Sequence, residues 1–240
     1  MGSEMCIRDR PSSMDFTTAS CFTLTYGTSQ YALKNRGQLK AGETLLVLGA
    51  AGGVGISAVE IGKALGAKVV AAASSDEKLE VCKQYGADEV INYGGYDLTD
   101  RDQVKQFRSE IAKATGGKGP DVIYDPVGAD FTEPALRSIA WNGRFLVIGW
   151  AAGHIPKIPM NLYLIKGCSA VGVFWGQFTA LEPQNHLDNM NQLTSWYEEG
   201  KLKAPVTEVL PLERGQEALE TILARKATGK IALTTSFYKS

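Results

Sequence analysis

The sequence contains few of the features that mark disulfide-bonded, secreted or membrane-spanning proteins. Its 240 residues include four cysteines, which are scattered and show no C-x-x-C spacing. A chain of this size with so few cysteines is typically reduced and intracellular. Its longest apolar runs, such as Val69 to Ala73, are far too short to cross a bilayer, and no signal peptide is evident. We therefore predict a cytoplasmic protein without a membrane partner.

Charge of one sign and metal-binding side chains are also scarce. Lys and Arg total 25 against 26 for Asp and Glu, with no basic stripe, so a nucleic-acid partner is not expected. The two histidines, His154 and His186, have no potential metal ligands close by in sequence, and we predict no metal site. His186 begins an amphipathic segment and is expected at the surface. The G-x-S-x-G turn of many hydrolases is absent.

What the sequence does have is a regular alternation of apolar strands with helix-patterned segments. A helix over 16–39, with a breaker at Gly27, precedes them, and 131–140 is also helical. Such alternation predicts an α/β fold, a doubly wound parallel sheet with helices on both faces. The predicted strands of this region are 44–48, 67–73, 89–92, 122–125, 144–149 and 168–174, followed by 206–210 and 231–235 near the end of the chain.

A glycine-rich turn follows the first predicted strand and opens a helix. Within Gly49 to Gly55, Gly52 has no side chain, so a pyrophosphate can approach the backbone there. Gly55 allows the helix to pack closely on the strand. Ala50 stands where the usual pattern begins with glycine. The turn favours a dinucleotide, although a tight strand–helix connection that binds nothing has the same pattern. The candidate pyrophosphate residues are Ala51, Gly52, Gly53, Val54 and Gly55.

The tip of the second strand distinguishes between the two nicotinamide dinucleotides. An acid there binds the ribose 2′-hydroxyl of NAD, whereas a 2′-phosphate requires cations and neutral donors. The expected position carries no acid, and Asp76, just beyond, is the main argument for NADH. We predict NADPH, bound through Ser74, Ser75, Lys78 and Tyr93.

The ends of the later strands are expected to line the same crevice, because ligands bind at the carboxyl edge of such sheets. Val127 follows the fourth strand, and Gly149 and Trp150 follow the fifth. We expect them to face the ribose and nicotinamide, although each also suits an ordinary turn. The Tyr197 and Lys201 pair has the Tyr-x-x-x-Lys spacing of short-chain dehydrogenases, but it lies too far downstream, and we attribute it to chance.

Taken together, these motifs resemble the zinc-independent quinone oxidoreductases of the medium-chain dehydrogenase/reductase superfamily. The resemblance implies metal-free hydride transfer from NADPH to a quinone or other α,β-unsaturated carbonyl, with Thr28 and Phe174 near the nicotinamide. It identifies no catalytic residue. The stretches that carry it are 24–33, 42–55, 74–79, 86–88, 91–93, 124–128, 166–168, 172–176 and 229–230.

The resemblance also implies a domain organisation. Residues 1–10 have the character of a non-native leader, 11–174 form the Rossmann NADPH-binding domain with its lead-in helix, and 175–240 belong partly to a GroES-like β-barrel catalytic domain that this sequence lacks. A fragment of this kind is expected to be weakly active or inactive. The alternative is a non-catalytic dinucleotide-binding module or redox sensor. The family also suggests a homodimer, formed through the strand 168–174.

Overall fold

The computed structural model describes residues 10–235 as a parallel sheet with helices on both faces, followed by a smaller C-terminal unit. Residues 1–9 and 236–240 lie outside the described part, and with them nearly all of the predicted leader. The predicted doubly wound α/β fold is confirmed. In the described residues, no helix is both long and apolar enough to span a bilayer.

Six strands form the main sheet, and all of their pairings are parallel. The spatial order is β3-β2-β1-β4-β5-β6, so the direction of winding reverses at β1. Such a reversal opens a crevice at the carboxyl end of the central strand. The strands are β1 (Thr44–Leu48), β2 (Lys68–Ala73), β3 (Glu89–Asn92), β4 (Val122–Asp125), β5 (Arg144–Val147) and β6 (Ser169–Gly172).

Helices connect these strands and cover the two faces of the sheet. Several begin at side-chain caps: Ser75 accepts a hydrogen bond from the Lys78 backbone, and Asp100 accepts from Asp102 and Gln103. The α-helices of this region are α1 (Phe16–Gln30), α2 (Gly53–Ala64), α3 (Asp76–Gln84), α4 (Arg101–Ala114), α5 (Thr132–Arg137), α6 (Asn161–Lys166), α7 (Trp175–Leu181) and α8 (Pro183–Glu198), and short 3-10 turns stand at Ala129–Phe131 and Leu212–Arg214.

Two apolar cores lie on opposite faces of the sheet. Successive side chains of a strand point to opposite faces, so Leu45 and Val47 enter one core, and Leu46 and Leu48 the other. The first core is closed by α1, α2, α3 and α8, and the second by α4, α5 and α6. Burial on both faces explains why β2 reads as a nearly unbroken apolar run.

The C-terminal unit is a small parallel sheet of β7 (Val206–Pro211) and β8 (Lys230–Thr234), connected by α9 (Gly215–Leu223). Its two strands pair with each other. The unit meets the main domain at the glycine turn, where the Gly229 N–H donates to the Ala51 carbonyl at 2.8 Å. Gly229, just before β8, thereby attaches the C-terminal unit to the predicted cofactor crevice.

Three local predictions were wrong. Gly27 does not break the first helix; it lies inside α1, and the chain continues as a π-helix over Tyr31–Arg36. Its missing side chain instead admits the Trp175 indole, whose Nε1 would lie 2.8 Å from an added Cβ. The predicted helix 131–140 is shorter and ends at Arg137. His186 is buried rather than exposed, with its ring edge-on to Trp175 and Phe178.

Candidate cofactor site

The turn between β1 and α2 requires its glycines for steric reasons. Gly49 has φ +59°, a left-handed conformation that glycine adopts most readily. A Cβ added at Gly55 would lie 2.3 Å from the Gly49 carbonyl oxygen and 2.7 Å from backbone atoms of Ala50. At Gly52 the nearest atom to an added Cβ is the same oxygen, at 3.4 Å. Gly55 therefore allows the turn to close, whereas Gly52 leaves space beside it.

The N-terminus of α2 has no side-chain cap. Its first residue inside the helix is Gly53, and the N-cap, Gly52, provides no side-chain acceptor. The Ile56 N–H donates to the Gly52 carbonyl at 2.8 Å, which is a normal first helical bond. The N–H groups of the first turn and the helix dipole can together bind an anion, as a dinucleotide pyrophosphate requires.

The loop after β4 is organised by Asp125. This buried carboxylate accepts hydrogen bonds from the Val127 and Gly128 backbones, both at 2.9 Å, and from the Thr132 hydroxyl at 2.7 Å. Burial raises the pKa of Asp125, while the three hydrogen bonds act in the opposite direction. The carboxylate thus holds the Val127 loop beside the glycine turn, where an added Cβ on Gly49 would lie 2.9 Å from Val127 Cγ2.

The loop after β5 is attached to the one after β4. The Ala151 N–H donates to Pro126 and the Ala152 N–H to Val127, at 3.0 and 2.9 Å. Trp150 is partly exposed, and its ring lies against Gly128, where an added Cβ would be 2.6 Å from Cδ1. Val127 therefore lies against both the glycine turn and the loop that carries Trp150.

Polar and cationic side chains cluster at the tip of β2. Lys78 Nζ donates to Ser74 Oγ at 3.1 Å and to the Arg225 carbonyl at 2.8 Å. Ser75 caps α3 and lies between Ser74 and Lys78 in sequence. The structure thus brings the predicted Ser74, Ser75 and Lys78 together, and it adds Arg225 from the C-terminal unit.

Asp76, the acid that argued for NADH, is already engaged. Its Oδ1 accepts a hydrogen bond of 2.7 Å from the Asn92 side-chain amide at the end of β3. The chain then passes tightly over the tip of β2: an added Cβ on Gly94 would lie 2.0 Å from the Ser74 carbonyl oxygen. This close contact requires glycine at position 94, which was not predicted from the sequence.

Tyr93 joins the end of β3 to the glycine turn. Its ring packs against Phe131, with centroids 4.7 Å apart, and its hydroxyl interacts with the Gly49 backbone. Burial raises the pKa of Tyr93 to about 12, and the nearby Arg225 charge acts in the opposite direction. The hydroxyl therefore remains neutral, able to donate and accept a hydrogen bond, throughout the physiological pH range.

The two residues assigned to the nicotinamide end lie on separate elements. Thr28 is on α1, with its hydroxyl bonded to the Leu24 carbonyl at 2.6 Å. Phe174 follows β6 and is 73% exposed. Their sequence neighbours, Gly27 and Trp175, pack against each other, and that contact links the two elements. The predicted nicotinamide end thus presents an exposed aromatic ring rather than a closed pocket.

Lys230, at the start of β8, also contacts the glycine turn, although no role for its side chain was predicted from the sequence. Its aliphatic side chain covers Gly53, where an added Cβ would be 2.5 Å from Lys230 Cε. Tyr197 and Lys201, by contrast, form no catalytic pair: Tyr197 packs edge-on to Phe22, and Lys201 pairs with Glu199 at 2.7 Å. Over residues 10–235, no group of three or more His, Cys, Asp or Glu side chains could hold a metal ion.

Comparison with known proteins identifies the class to which this fold and crevice belong. The model of the zinc-binding dehydrogenase family matches residues 53–195. The chain belongs to this family, within the medium-chain dehydrogenase/reductase superfamily, as its sequence motifs predicted.

Individual relatives and solved structures resemble this chain over nearly all of its length. The quinone oxidoreductase-like protein 2 homolog of Nematostella vectensis is 38% identical, covering 94% of this chain and 60% of the relative. A mycobacterial structure complexed with NADPH has a TM-score of 0.84 at 27% identity, covering 93% of this chain and 66% of that one. The CurK enoyl reductase has a TM-score of 0.80 at 27% identity, covering 94% and 64%. This chain therefore spans about three fifths to two thirds of their length.

Proposed function

We propose that the chain is the cofactor-binding part of an NADPH-dependent oxidoreductase that reduces a quinone or another α,β-unsaturated carbonyl without a metal. The observation that carries the proposal is the tip of β2, where Ser74 and Lys78 stand together and Asp76 is bonded to Asn92. The relatives named as quinone oxidoreductase-like and enoyl reductase support the reaction class, and the mycobacterial complex supports the cofactor.

The choice of NADPH rests on charge and hydrogen bonding. A 2′-phosphate requires cationic and neutral donors, which Lys78 and Ser74 supply. An acid that selects NAD must accept a bond from the ribose hydroxyls. One oxygen of the Asp76 carboxylate accepts a hydrogen bond from the Asn92 amide. This bond directs the Asp76 side chain from the start of α3 toward β3. The main argument for NADH is therefore weakened.

The remaining residues have roles in orientation. In the proposal, Ala51 to Gly55 bind the pyrophosphate with the N-terminus of α2, while Val127, Gly149 and Trp150 border the ribose and nicotinamide. Thr28 and Phe174 flank the nicotinamide ring. The bound cofactor supplies a hydride, and the protein supplies position and exclusion of water. No residue of this chain is assigned as a general acid.

The C-terminal unit is proposed to belong partly to a second domain, a GroES-like barrel that would complete the substrate cleft. Its outer surface carries large apolar side chains that are more than half exposed. Exposed apolar surface of this kind often marks a contact with another domain or protein. The exposed residues are Leu212, Leu219, Ile222 and Leu223. The isolated chain is accordingly expected to show weak or absent quinone turnover.

A homodimer is proposed through β6, which lies at one edge of the sheet. Edge strands present unpaired backbone groups to a second copy. Two exposed residues of the adjacent α6, Leu164 and Ile165, add apolar surface beside it. Sedimentation equilibrium tests this. The Ser169 and Val173 N–H groups donate to β5, so the intervening Ala170 N–H points to the open edge. Replacing Ala170 by Pro removes that edge donor and is expected to shift a dimer to monomer.

The decisive experiment is a fluorescence titration of the purified chain with NADPH and NADH. Wild type is expected to bind NADPH more tightly. Lys78→Ala removes a charged donor and is expected to weaken NADPH about tenfold while leaving NADH unchanged. Lys83→Ala is the matched control, because Lys83 lies on the same helix, exposed and paired with Glu80 at 2.6 Å. Equal affinity of wild type for both cofactors would refute the 2′-phosphate site.

A dinucleotide-binding module without catalysis remains the second candidate. It is favoured by the exposure of Phe174, which leaves the nicotinamide end open to solvent. The same preparations distinguish the two functions. NADPH oxidation that depends on added quinone supports the reductase. NADPH binding without turnover, even when the chain is joined to a barrel domain from a relative, supports the module.

A further inference from the structure

A buried carboxylate, Glu60, holds the segment through which the chain leaves the main domain for the C-terminal unit. Glu60 lies in the middle of α2 and is 3% exposed. Its Oε2 accepts a hydrogen bond from the Tyr26 hydroxyl of α1, and its Oε1 accepts one of 2.7 Å from the Lys203 backbone. The Ala204 backbone N–H also interacts with the carboxylate. Glu60 thus joins α1 and α2 to residues 201–205, which we call the linker.

The linker is bent where Glu60 holds it. Ala204 has φ +48°, a left-handed conformation that residues other than glycine rarely adopt, and it is buried. Lys203 is fixed a second time, because its Nζ donates to the Gln84 carbonyl at 3.1 Å. A backbone conformation of this kind persists only where its surroundings fix it. The Glu60 carboxylate supplies part of that fixation at the backbone N–H groups.

The C-terminal unit contacts α2 at two places. Its chain leaves beside Glu60 and returns at the N-terminus of the same helix, where the Gly229 N–H donates to the Ala51 carbonyl at 2.8 Å. Gly53 and Glu60 lie about two helical turns apart, or about 10 Å along the axis. Because the Ala51 carbonyl is bonded to Gly229, the peptide group that follows Ala51 has a fixed orientation. That peptide belongs to the turn that we assign to the pyrophosphate.

We propose that Glu60 is a positioning residue for the dinucleotide pyrophosphate, acting through the linker and the bond between Gly229 and Ala51. The inference rests on the proposed dinucleotide-binding function. Glu60 holds the linker in its bend, the bend sets where the C-terminal unit returns, and Gly229 then fixes the Ala51 peptide. A turn that is fixed before the ligand arrives loses less entropy on binding. Because NADPH and NADH share the pyrophosphate, Glu60 acts on both.

The test compares Glu60→Leu with Glu60→Gln in the 240-residue chain. Leucine has a similar volume but accepts no hydrogen bond, so the Lys203 N–H and the Tyr26 hydroxyl lose their acceptor. NADPH and NADH affinities should both fall about three- to tenfold in the fluorescence titration. Glutamine keeps an oxygen for the Lys203 N–H, and its amide can donate to the Tyr26 hydroxyl, which can also accept. E60Q should therefore retain wild-type affinity.

Amide hydrogen exchange at Gly229, followed by NMR without cofactor, measures the coupling directly. E60L should speed exchange at Gly229 but not at Leu46, whose amide lies in the central strand and reports global opening. E60Q should leave both amides as in wild type. Tyr26→Phe is a milder variant in case E60L does not fold, because its ring still stacks on Phe22, with centroids 4.5 Å apart. It should change Gly229 exchange and both affinities in the same direction as E60L.

The matched control is Ile111→Ala. Ile111 is buried in the second core, in the last turn of α4, so its truncation lowers Tm without touching the linker. Both cofactor affinities should stay at the wild-type level in this variant. A loss of affinity in E60L that this control does not share cannot be attributed to lower global stability.

The results separate this inference from the function on which it rests. If E60L lowers Tm but leaves both affinities and Gly229 exchange unchanged, Glu60 only stabilises the fold and the inference is refuted. Equal losses of affinity in E60Q and E60L would refute it as well. If E60L weakens both cofactors in a chain whose wild type shows no NADPH preference, the inference stands and only the 2′-phosphate assignment fails. A wild-type chain that binds neither cofactor would overturn both.

Discussion

Two alanine substitutions, three residues apart in the turn after β1, are expected to have opposite consequences. At Gly55 the new methyl group would lie 2.3 Å from the Gly49 carbonyl oxygen and 2.7 Å from two backbone atoms of Ala50. Backbone cannot rotate away as a side chain can, so the turn must shift by several tenths of an ångström. At Gly52 the nearest atom is 3.4 Å away, an ordinary contact.

The magnitudes follow from these distances. Overpacking of this severity costs about 3 kcal/mol, which for a chain of this size lowers Tm by roughly 6–12 °C. Gly52 has φ −77° and ψ 169°, which alanine adopts without strain, so its substitution is expected to change stability by less than about 0.5 kcal/mol. The methyl group on Gly52 would instead occupy the space that we propose for the pyrophosphate, and NADPH affinity is expected to fall at least about tenfold.

Thermal unfolding followed by circular dichroism and NADPH titration measure the two effects separately. Gly55→Ala is expected to lower Tm, and Gly52→Ala to retain Tm but lose binding. Gly42→Ala is a poor control because of its left-handed φ of +82°; Gly95→Ala is a better one, since nothing lies within 4 Å of an added Cβ. A Gly55→Ala protein with wild-type Tm, or a Gly52→Ala protein with wild-type affinity, would refute this reasoning.

Three further predictions concern the crowded Gly94 position and two buried polar groups of the fold. Gly94→Ala, whose Cβ would lie 2.0 Å from the Ser74 carbonyl, should weaken NADPH binding more than NADH binding in the titration above. Burial raises the pKa of Glu60, so its stabilising contribution is complete below pH 4.5 and is lost as pH rises through the folded pKa. Urea unfolding should therefore show Glu60→Gln gaining stability over wild type as pH rises above 4.5. Ser29→Ala leaves the buried Tyr124 hydroxyl, 2.8 Å away, without that partner and should cost about 1–3 kcal/mol, and adding Tyr124→Phe should recover part of the loss.

The predicted cofactor residues differ in how far the structure groups them. The glycine turn lies against Val127, and Ser74, Ser75 and Lys78 gather at the tip of β2, because each stands at the carboxyl end of a neighbouring parallel strand. Thr28 and Phe174 are joined to each other only through their neighbours Gly27 and Trp175. Their nicotinamide role was implied by resemblance, and it stays a prediction.

His186 and Gly27 show why some sequence predictions failed. Both predictions assumed that a residue's own helix decides its environment. In the fold, the segment after β6 packs on α1, so Trp175 lies against Gly27 and covers His186. Burial lowers the pKa of His186 as a result. A contact between segments about 150 residues apart leaves no periodic signal in either one.

By itself, the sequence determined the parallel α/β sheet, the position of the glycine turn and the polar tip of β2. These depend on apolar periodicity and on steric requirements that act within a few residues. The tertiary structure alone decided that Asn92 engages Asp76, that Lys230 covers Gly53 and that Arg225 stands beside Lys78. Those three contacts join separate elements of the chain, and their geometry exists only once β3 and the C-terminal unit have packed against the crevice.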